Sequence, residues 1–236
     1  MNRCSEYRDE LKGLKAEGIL KWAAEKFGSR VALATSFGAE DQVLTDLWAG
    51  SGTPARLFTL DTGRIFEETY HVMHATMKRY GLRCDVYAPD AGELARLVEA
   101  DGPDLFYESV EKRKACCAVR KTNPLSRALA DLDAWIVGLR RDQSVTRTET
   151  ESIEWDEAHG LYKICPLYDW TEDQVWAYIR EHAVPYNALH DRGFRSIGCA
   201  PCTRAVAPGE DVRSGRWWWE LPEHRECGLH NRPKKR

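Results

Sequence analysis

The chain has 236 residues, enough for one α/β domain with a full core or for one domain with an appended segment. Its formal net charge of −3 argues against broad nucleic-acid binding, which usually needs a strongly basic domain, and its longest apolar stretches are too short to span a membrane. The first residues lack the apolar core of a secretory signal, so the expected location is the cytoplasm.

Strands and helices alternate along the sequence. Val31–Thr35 is a continuous apolar run, typical of a strand buried on both faces, and Thr171–Gln174 is a capping box that opens a helix. Such alternation predicts an α/β fold with a mostly parallel sheet and helices on both faces. The predicted elements, in chain order, are an amphipathic helical stretch over 5–27, a strand over Val31–Thr35, a helix after Asp41, a strand over Arg56–Leu60, a helix from about Ile65 to Tyr80, strands over Arg83–Tyr87 and Trp135–Leu139, and a helix over Val175–His182.

The sequence changes character after about Arg192. Hydrophobic periodicity fades there, and Gly, Pro, Arg and Trp predominate. We therefore expect two parts, an α/β nucleotide-binding domain over residues 1–191 and an irregular C-terminal segment over 192–236 with a mobile tail. The run Trp217-Trp218-Trp219 in that segment fits either a lid or simple packing.

Three turns at predicted strand ends have the makeup of ligand-binding loops, because ligands of such sheets bind at the carboxyl ends of the strands. Ser36-Phe37-Gly38 offers a hydroxyl, backbone donors and a following helix N-terminus, which together suit an anion. Asp61-Thr62-Gly63 is a similar turn, and the segment 138–144 carries adjacent arginines. Each turn is a weak signal alone, but three at one sheet edge predict an anionic ligand.

A Walker-type phosphate loop is absent, because no Gly-Lys-Ser/Thr follows the glycine. The first turn instead resembles a degenerate form of the pyrophosphate loop of adenylating enzymes. Phe37 replaces the second glycine of that loop, and Asp41 stands in place of its final serine. This departure predicts a site that binds an adenylate but does not cleave ATP to pyrophosphate.

Eight cysteines in a chain expected in a reducing compartment indicate chemistry rather than structural disulfides. Cys4, Cys84 and Cys165 stand alone, and a lone buried cysteine usually acts as a small hydrophobe. The five cysteines that suggest a site are Cys116, Cys117, Cys199, Cys202 and Cys227.

Cys116-Cys117 and Cys199-x-x-Cys202 together supply the four thiolates that one [4Fe–4S] cluster needs. The alternative is a structural zinc site, but zinc sites usually use paired Cys-x-x-Cys knuckles, and adjacent cysteines bend poorly around one small ion. A disulfide between Cys116 and Cys117 is disfavoured because vicinal disulfides are strained. Lys and Arg residues beside this pair would offset the charge of a cluster, although they also fit a solvated helix face.

Cys227 lies in a polar stretch, Glu-Cys-Gly-Leu-His, which offers little core for a structural cysteine and favours a reactive thiol. A free thiol titrates near about 8.5, and cationic neighbours lower that pKa and increase the thiolate fraction. His230, Arg213 and Arg216 are the candidate sources of such a field.

Together these motifs resemble the bacterial assimilatory adenylylsulfate (APS) reductases of the APS/PAPS reductase family, from about residue 30 to residue 230. The two cysteine pairs, the Glu-Cys-Gly-Leu-His stretch and the Ser-Phe-Gly, Leu-Asp-Thr-Gly and Gly-Leu-Arg-Arg-Asp-Gln-Ser turns carry the resemblance. The sister 3′-phosphoadenylylsulfate (PAPS) reductases keep that stretch and the turns but typically lack the cysteine pairs. The pairs therefore favour APS.

The resemblance implies a mechanism in sulfate assimilation and cysteine biosynthesis. The Cys227 thiolate attacks the sulfur of APS, AMP leaves, and thioredoxin or glutaredoxin releases sulfite from the S-sulfocysteine. It also implies a homo-oligomer. The implied site residues are Cys227 and His230 for catalysis, Lys121, Arg147, Arg213 and Arg216 for the phosphosulfate, Ser36, Phe37, Leu60, Thr62 and Gly138 for the adenosine, with Gly38 in the same turn, and Cys116, Cys117, Cys199 and Cys202 for the [4Fe–4S] cluster.

Two other functions fit the same residues. One is a PAPS reductase with dual or 3′-phosphate-dependent specificity, which turnover on the two substrates would distinguish. The other is a non-enzymatic sensor that binds an adenylate and a metal or cluster. Such a sensor would form no covalent sulfite adduct on Cys227.

Overall fold

The computed structural model describes residues 4–53, 56–143, 147–221 and 229, so Cys227 and His230 lie outside the described residues. The chain divides into two compact units, and its middle segments alternate between them. The first unit consists of residues 1–59, 67–85 and 131–192, and the second of residues 60–66, 86–130 and 193–236.

One mostly parallel sheet organises the fold, which confirms the predicted α/β class. The strands of the described residues are β1 (Val31–Ala34), β2 (Leu57–Leu60), β3 (Cys84–Tyr87), β4 (Ala134–Ile136), β5 (Ile153–Asp156) and β6 (Leu161–Ile164). Their order across the sheet is β3-β2-β1-β4-β6-β5. β1 pairs in parallel with β2 and β4, β4 pairs in parallel with β6, and the β5–β6 pair is antiparallel.

The core of the first unit lies around β1 and β4. Val31 and Leu33 of β1 and Ala134 and Ile136 of β4 are fully buried, as the continuous apolar runs predict for central parallel strands. β4 is shorter than the predicted strand, because it ends at Ile136.

Helices connect the strands, as expected. The α-helices of the described residues are α1 (Ser5–Leu11), α2 (Ala16–Phe27), α3 (Ala39–Gly50), α4 (Glu67–Tyr80), α5 (Ala91–Asp101), α6 (Val110–Cys117), α7 (Asn123–Leu129) and α8 (Glu172–Glu181). The capping box before α8 is present, with Thr171 accepting from the Gln174 N–H and the Gln174 side chain accepting from the Thr171 N–H.

The helical stretch predicted over residues 5–27 is helical but interrupted. Two helices, α1 and α2, occupy that stretch, and Gly13 lies between them with a φ of 79°. Glycine adopts this left-handed backbone without steric cost, so it ends the first helix although the apolar periodicity continues.

The hairpin of β5 and β6 is not predicted by the sequence pattern. Their apolar pattern is interrupted by charged residues such as Glu154 and Lys163, which pair across the two strands. Trp155 and Tyr162 face each other in the same register, with ring centroids 5.1 Å apart. Cross-strand aromatic pairing of this kind stabilises a hairpin without a long hydrophobic run.

The described part of the chain after Arg192 is irregular, as predicted. Its regular structure in residues 193–221 is a 3₁₀ turn at Ala200–Cys202 and two isolated bridges, which pair Ile65 with Cys199 and Thr203 with Arg216. No helix among the described residues is long and apolar enough to cross a membrane.

Candidate metal centre and nucleotide loop

The first cysteine pair lies on a continuous helical run of the second unit. α6 carries Cys116 and Cys117 in its last turn, a π-helical segment follows over Ala118–Thr122, and α7 continues from there. Pro124 at the start of α7 has no N–H to donate and clashes with the carbonyl four residues earlier, which favours a widened turn. Such π segments are frequent at functional sites.

The second cysteine pair lies on a tight turn of the same unit. The Cys202 N–H donates to the Cys199 carbonyl at 2.9 Å, which closes the 3₁₀ turn, and the Ala200 N–H donates to the Arg64 carbonyl at 2.8 Å. This turn is thereby joined to the segment that follows β2. Thr62 in that segment is buried, and its hydroxyl lies 3.3 Å from the Cys199 sulfur.

All four cysteines of the two pairs line one cavity in the second unit, as the sequence predicted for a shared site. The cavity is unusually rich in cationic side chains. Its other lining residues are Arg64, Phe106, Arg113, Arg120, Lys121, Pro201 and Trp217.

The cations affect the thiols of this cavity unequally. Burial raises the pKa of Cys116, partly offset by Arg120, and burial together with the charge of Cys199 raises the pKa of Cys202 to about 12. Burial would raise the pKa of Cys199 as well, but the charge of Lys121 and the Thr62 hydroxyl outweigh it and lower the pKa. The site therefore stabilises a thiolate at Cys199 before any metal is considered.

Arg113 is a member of the cavity wall whose individual role is not predicted by the sequence. It hydrogen-bonds to Cys117, and its guanidinium carbon lies 4.9 Å from the centroid of the Trp217 ring. On its other side it makes a bidentate ion pair with Glu220, with distances of 2.9 and 2.8 Å. Nothing in the sequence signals this pair, because its partners are 107 positions apart.

The residues of the cavity fit a [4Fe–4S] cluster. Two buried N–H groups of its wall, Trp217 Nε1 and Arg120 Nε, have no hydrogen-bond partner within the described part of the chain. A buried donor left unpaired costs about 1–3 kcal/mol, and the sulfur atoms of a cluster accept such bonds. Among the described residues, no three Cys, His, Asp or Glu side chains are grouped to hold a single metal ion. A cluster spreads its ligands over several iron atoms and does not need that grouping.

The predicted anion loop of the first unit is already filled by a carboxylate. The backbone N–H and the hydroxyl of Ser36 donate to Asp41 Oδ2 at 2.6 and 2.7 Å, and the Gly38 backbone also bonds to this carboxylate. Phe37, which replaces a glycine, is buried and has a left-handed φ of 58°. Non-glycine residues rarely adopt that conformation, and such strain concentrates at functional sites.

The loop after β4 packs against the same carboxylate. Gly138 approaches Asp41 so closely that a Cβ on it would lie 2.6 Å from Asp41 Oδ1. The Gly138 carbonyl accepts from the Gln143 side chain at 2.9 Å, and Arg147 in turn donates to Gln143. The adjacent Arg140 is buried and paired with Glu40 at 2.8 Å.

The remaining residues implied by the resemblance lie in different environments. Leu60 ends β2 and is half-buried, and Lys121 and Arg216 are buried beside Cys199. The Arg213 N–H donates to Asp211 at 2.8 Å in the irregular segment. Thr62 contacts Cys199, so its assignment to the adenosine stays a prediction, as do the assignments of Leu60 and Arg213.

Replacing Gly138 with alanine is expected to destabilise the chain by about 1–3 kcal/mol. The new Cβ would lie 2.6 Å from Asp41 Oδ1 and 2.8 Å from Glu40 Cβ, so the loop or α3 must shift. Urea unfolding measures the effect. Gly50→Ala is the matched control, because a Cβ there meets nothing within 4 Å. A Gly138→Ala chain that unfolds at the wild-type midpoint would contradict the close packing.

Replacing Asp41 with asparagine is expected to stabilise the chain at pH 8 but not at pH 4. Burial raises the pKa of Asp41 from 3.8 to about 6, although Ser36 opposes it. A folded-state pKa above the unfolded value means that stability falls as pH rises from about 4 to 6, by up to about 3 kcal/mol. Urea titrations at both pH values measure this. The exposed Asp9→Asn variant serves as control, and an Asp41→Asn chain with the wild-type pH dependence would overturn the expectation.

Comparisons with known proteins agree with the geometry. A family model described as the phosphoadenosine phosphosulfate reductase domain matches residues 30–205. An adenosine 5′-phosphosulfate reductase of Allochromatium vinosum is 56% identical across 86% of this chain and 79% of its own length. A second, from Burkholderia cepacia, is 51% identical across 85% of this chain and 80% of its own length.

Solved structures show the same relationship. A phosphoadenylyl-sulfate (PAPS) reductase from Candida auris, in a phosphate complex, has a TM-score of 0.74 and 29% identity, covering 87% of this chain and 99% of that one. An FMN adenylyltransferase of Candida glabrata shares the fold alone, with a TM-score of 0.56 and 17% identity over 94% of this chain and 76% of that one.

These matches confirm the family and the enzyme class that the cysteine pairs and turns predicted, a reductase of sulfur-group substrates. The family model covers more than half of the chain, and the relatives match across most of both lengths. The chain therefore belongs to the phosphoadenosine phosphosulfate reductase family, together with the adenosine 5′-phosphosulfate reductases.

Proposed function

We propose that the chain reduces adenylylsulfate to sulfite and AMP, with Cys227 as the nucleophile and a dithiol protein as the reductant. The observation that carries the proposal is the convergence of Cys116, Cys117, Cys199 and Cys202 on one cation-rich cavity in a chain of this family. The relatives named as adenosine 5′-phosphosulfate reductases support the choice of substrate.

The chemistry proceeds in three steps at Cys227. Its thiolate attacks the sulfur of APS, an S–S bond forms, and the S–O bond to the phosphate breaks, so that AMP leaves with the electron pair. A thiolate of thioredoxin or glutaredoxin then attacks the Cys227 sulfur and expels sulfite. The second thiol of the dithiol protein resolves the mixed disulfide, which restores the Cys227 thiol and leaves the dithiol oxidised to a disulfide.

Cationic residues neutralise the charge that develops on the leaving phosphate. We assign Lys121, Arg147, Arg213 and Arg216 to the phosphosulfate and His230 to catalysis. A unit charge pair 4 Å apart is worth roughly 4 kcal/mol near a protein surface, so several cations together lower the barrier substantially. We assign the adenosine to Ser36, Phe37, Gly38, Leu60, Thr62 and Gly138.

Cys116, Cys117, Cys199 and Cys202 would hold the [4Fe–4S] cluster in the second unit. A cluster bound there would supply charge next to Lys121 and no electrons, because the thiol route needs none. Lys121 has a role at both sites, since its charge acts on Cys199 and the resemblance assigns it to the phosphosulfate. It is thereby suited to link the cluster to the substrate electrostatically.

Turnover measured on both nucleotides tests the proposal. The anaerobically purified chain, supplied with thioredoxin, is expected to release sulfite from APS much faster than from PAPS and to contain about four iron and four sulfide per chain. Full activity on PAPS with none on APS would overturn the substrate. A colourless protein with one zinc would overturn the cluster.

A further inference from the structure

A buried ion pair lies behind the cysteine cavity of the second unit. Arg113 Nε and Nη2 donate to the two carboxylate oxygens of Glu220 at 2.9 and 2.8 Å. The side chains are only 1% and 3% exposed. Burying such a pair carries a large desolvation cost, and replacing it with apolar residues is often neutral or stabilising. Stability alone therefore does not explain why this pair is buried, and its other contacts indicate a further role.

The guanidinium of Arg113 is fixed on three sides. Besides Glu220, it hydrogen-bonds to Cys117 one turn along α6, and it lies over the ring of Trp217 at 4.9 Å. Glu220 and Trp217 come from one turn, because the Glu220 N–H donates to the Trp217 carbonyl at 2.9 Å. Arg113 thus has little freedom to reorient, and its hydrogen bond to the Cys117 sulfur has a defined direction.

The neighbouring cation of the same helical run is held differently. Arg120, which acts on Cys116, donates to the Thr62 carbonyl at 2.6 Å rather than to a carboxylate. A carboxylate on Arg113 fixes both the orientation and the charge of its guanidinium. Hydrogen bonds to the sulfur ligands of an iron–sulfur cluster are among the features that tune it, and the partners that orient such donors belong to the site.

We propose that Glu220 is a positioning residue for the cluster, because it holds Arg113 so that its hydrogen bond to the Cys117 sulfur is maintained. This inference rests on the proposed cluster. Loss of the Glu220 carboxylate releases Arg113, weakens the N–H···S bond, and returns electron density to the Cys117 sulfur. The iron–sulfur bond to Cys117 then strengthens, although all four ligands remain.

Resonance Raman spectroscopy of the anaerobically purified full chain tests this directly. Glu220→Gln and Arg113→Lys are each expected to shift an iron–cysteine stretching band to higher frequency while keeping most of the iron and sulfide. Glu108→Gln is the matched control, because Glu108, just before α6, pairs with Lys112 of α6, and both side chains are exposed, at 55% and 38%. It is expected to give the wild-type spectrum. If Glu220→Gln does not yield holoprotein, Glu220→Asp keeps the charge and is expected to give a smaller shift of the same sign.

Two results would overturn the role of Glu220. One is a wild-type spectrum in Glu220→Gln at wild-type iron content. The other is a loss of iron in which the remaining clusters keep wild-type frequencies, since that would be a structural effect only. A wild-type chain that contains no iron and sulfide would show that no cluster is bound. Iron and sulfide analysis of the wild-type chain detects that outcome before any variant is compared.

Discussion

Replacing Cys227 with serine is expected to abolish sulfite release from APS, lowering turnover by at least about a thousandfold. The serine hydroxyl is not ionised near neutral pH and is a far weaker nucleophile than a thiolate, so the S-sulfonated intermediate cannot form. APS affinity should stay close to wild type, because the nucleophile is not one of the residues assigned to hold the nucleotide. Sulfite release and equilibrium binding of APS, measured on the same preparation, separate the two effects.

Cys84 provides the matched control for this substitution. Burial raises the pKa of Cys84 to about 12, so it carries little thiolate at neutral pH, and it lies on β3 outside the cysteine cavity. Cys84→Ser should therefore retain wild-type turnover. If Cys227→Ser kept substantial turnover, another nucleophile would be required. If the wild-type chain itself bound APS without releasing sulfite, a sensor would be the better description.

Replacing Arg113 with leucine is expected to destabilise the chain by about 3–5 kcal/mol, because it removes the bidentate cationic partner of the buried Glu220 carboxylate. The double variant Arg113→Leu/Glu220→Leu should recover most of that loss, since it removes both charges and leaves apolar groups of similar size. Urea unfolding of apoprotein and holoprotein side by side measures the effect and separates the contribution of the cluster.

An exposed cation on the same helix shows how much a surface pair contributes. Lys112 pairs with Glu108 and Asp101 in solvent, so Lys112→Ala should cost no more than about 1 kcal/mol. Equal losses for Arg113→Leu and Lys112→Ala would contradict the buried character of the Arg113–Glu220 pair. A double variant as unstable as Arg113→Leu alone would show that the loss comes from packing rather than from the loss of the Arg113–Glu220 ion pair.

The sequence predicts the parallel part of the fold well, because buried central strands appear in the sequence as continuous apolar runs. β1 and β4 follow this rule, and the capping box before α8 marks a helix start through local chemistry. Two features of the fold could not be predicted from the sequence, for physical reasons. The break at Gly13 depends on one left-handed residue inside an uninterrupted apolar period, and the β5–β6 hairpin is stabilised by cross-strand aromatic contacts rather than by a run of hydrophobic residues.

The candidate site was likewise predicted only in part. Cysteine spacing and order predicted that Cys116, Cys117, Cys199 and Cys202 share one site, and all four line the same cavity. Pairing between distant positions carries no local pattern, so Arg113 and Glu220 were not found. The sequence predicted only part of the role of Asp41. Its place in the loop marked a departure from pyrophosphate binding, but the sequence does not reveal that its carboxylate bonds to the Ser36 donors.

Mass spectrometry of the chain after incubation with APS, without any thiol reductant, tests the central claim most directly. The proposed mechanism predicts one sulfonate group per chain, located on Cys227 by peptide mapping and released as sulfite on addition of thioredoxin. Sulfite production at the full rate with Cys227 unmodified throughout, or with the sulfonate on another cysteine, would contradict it.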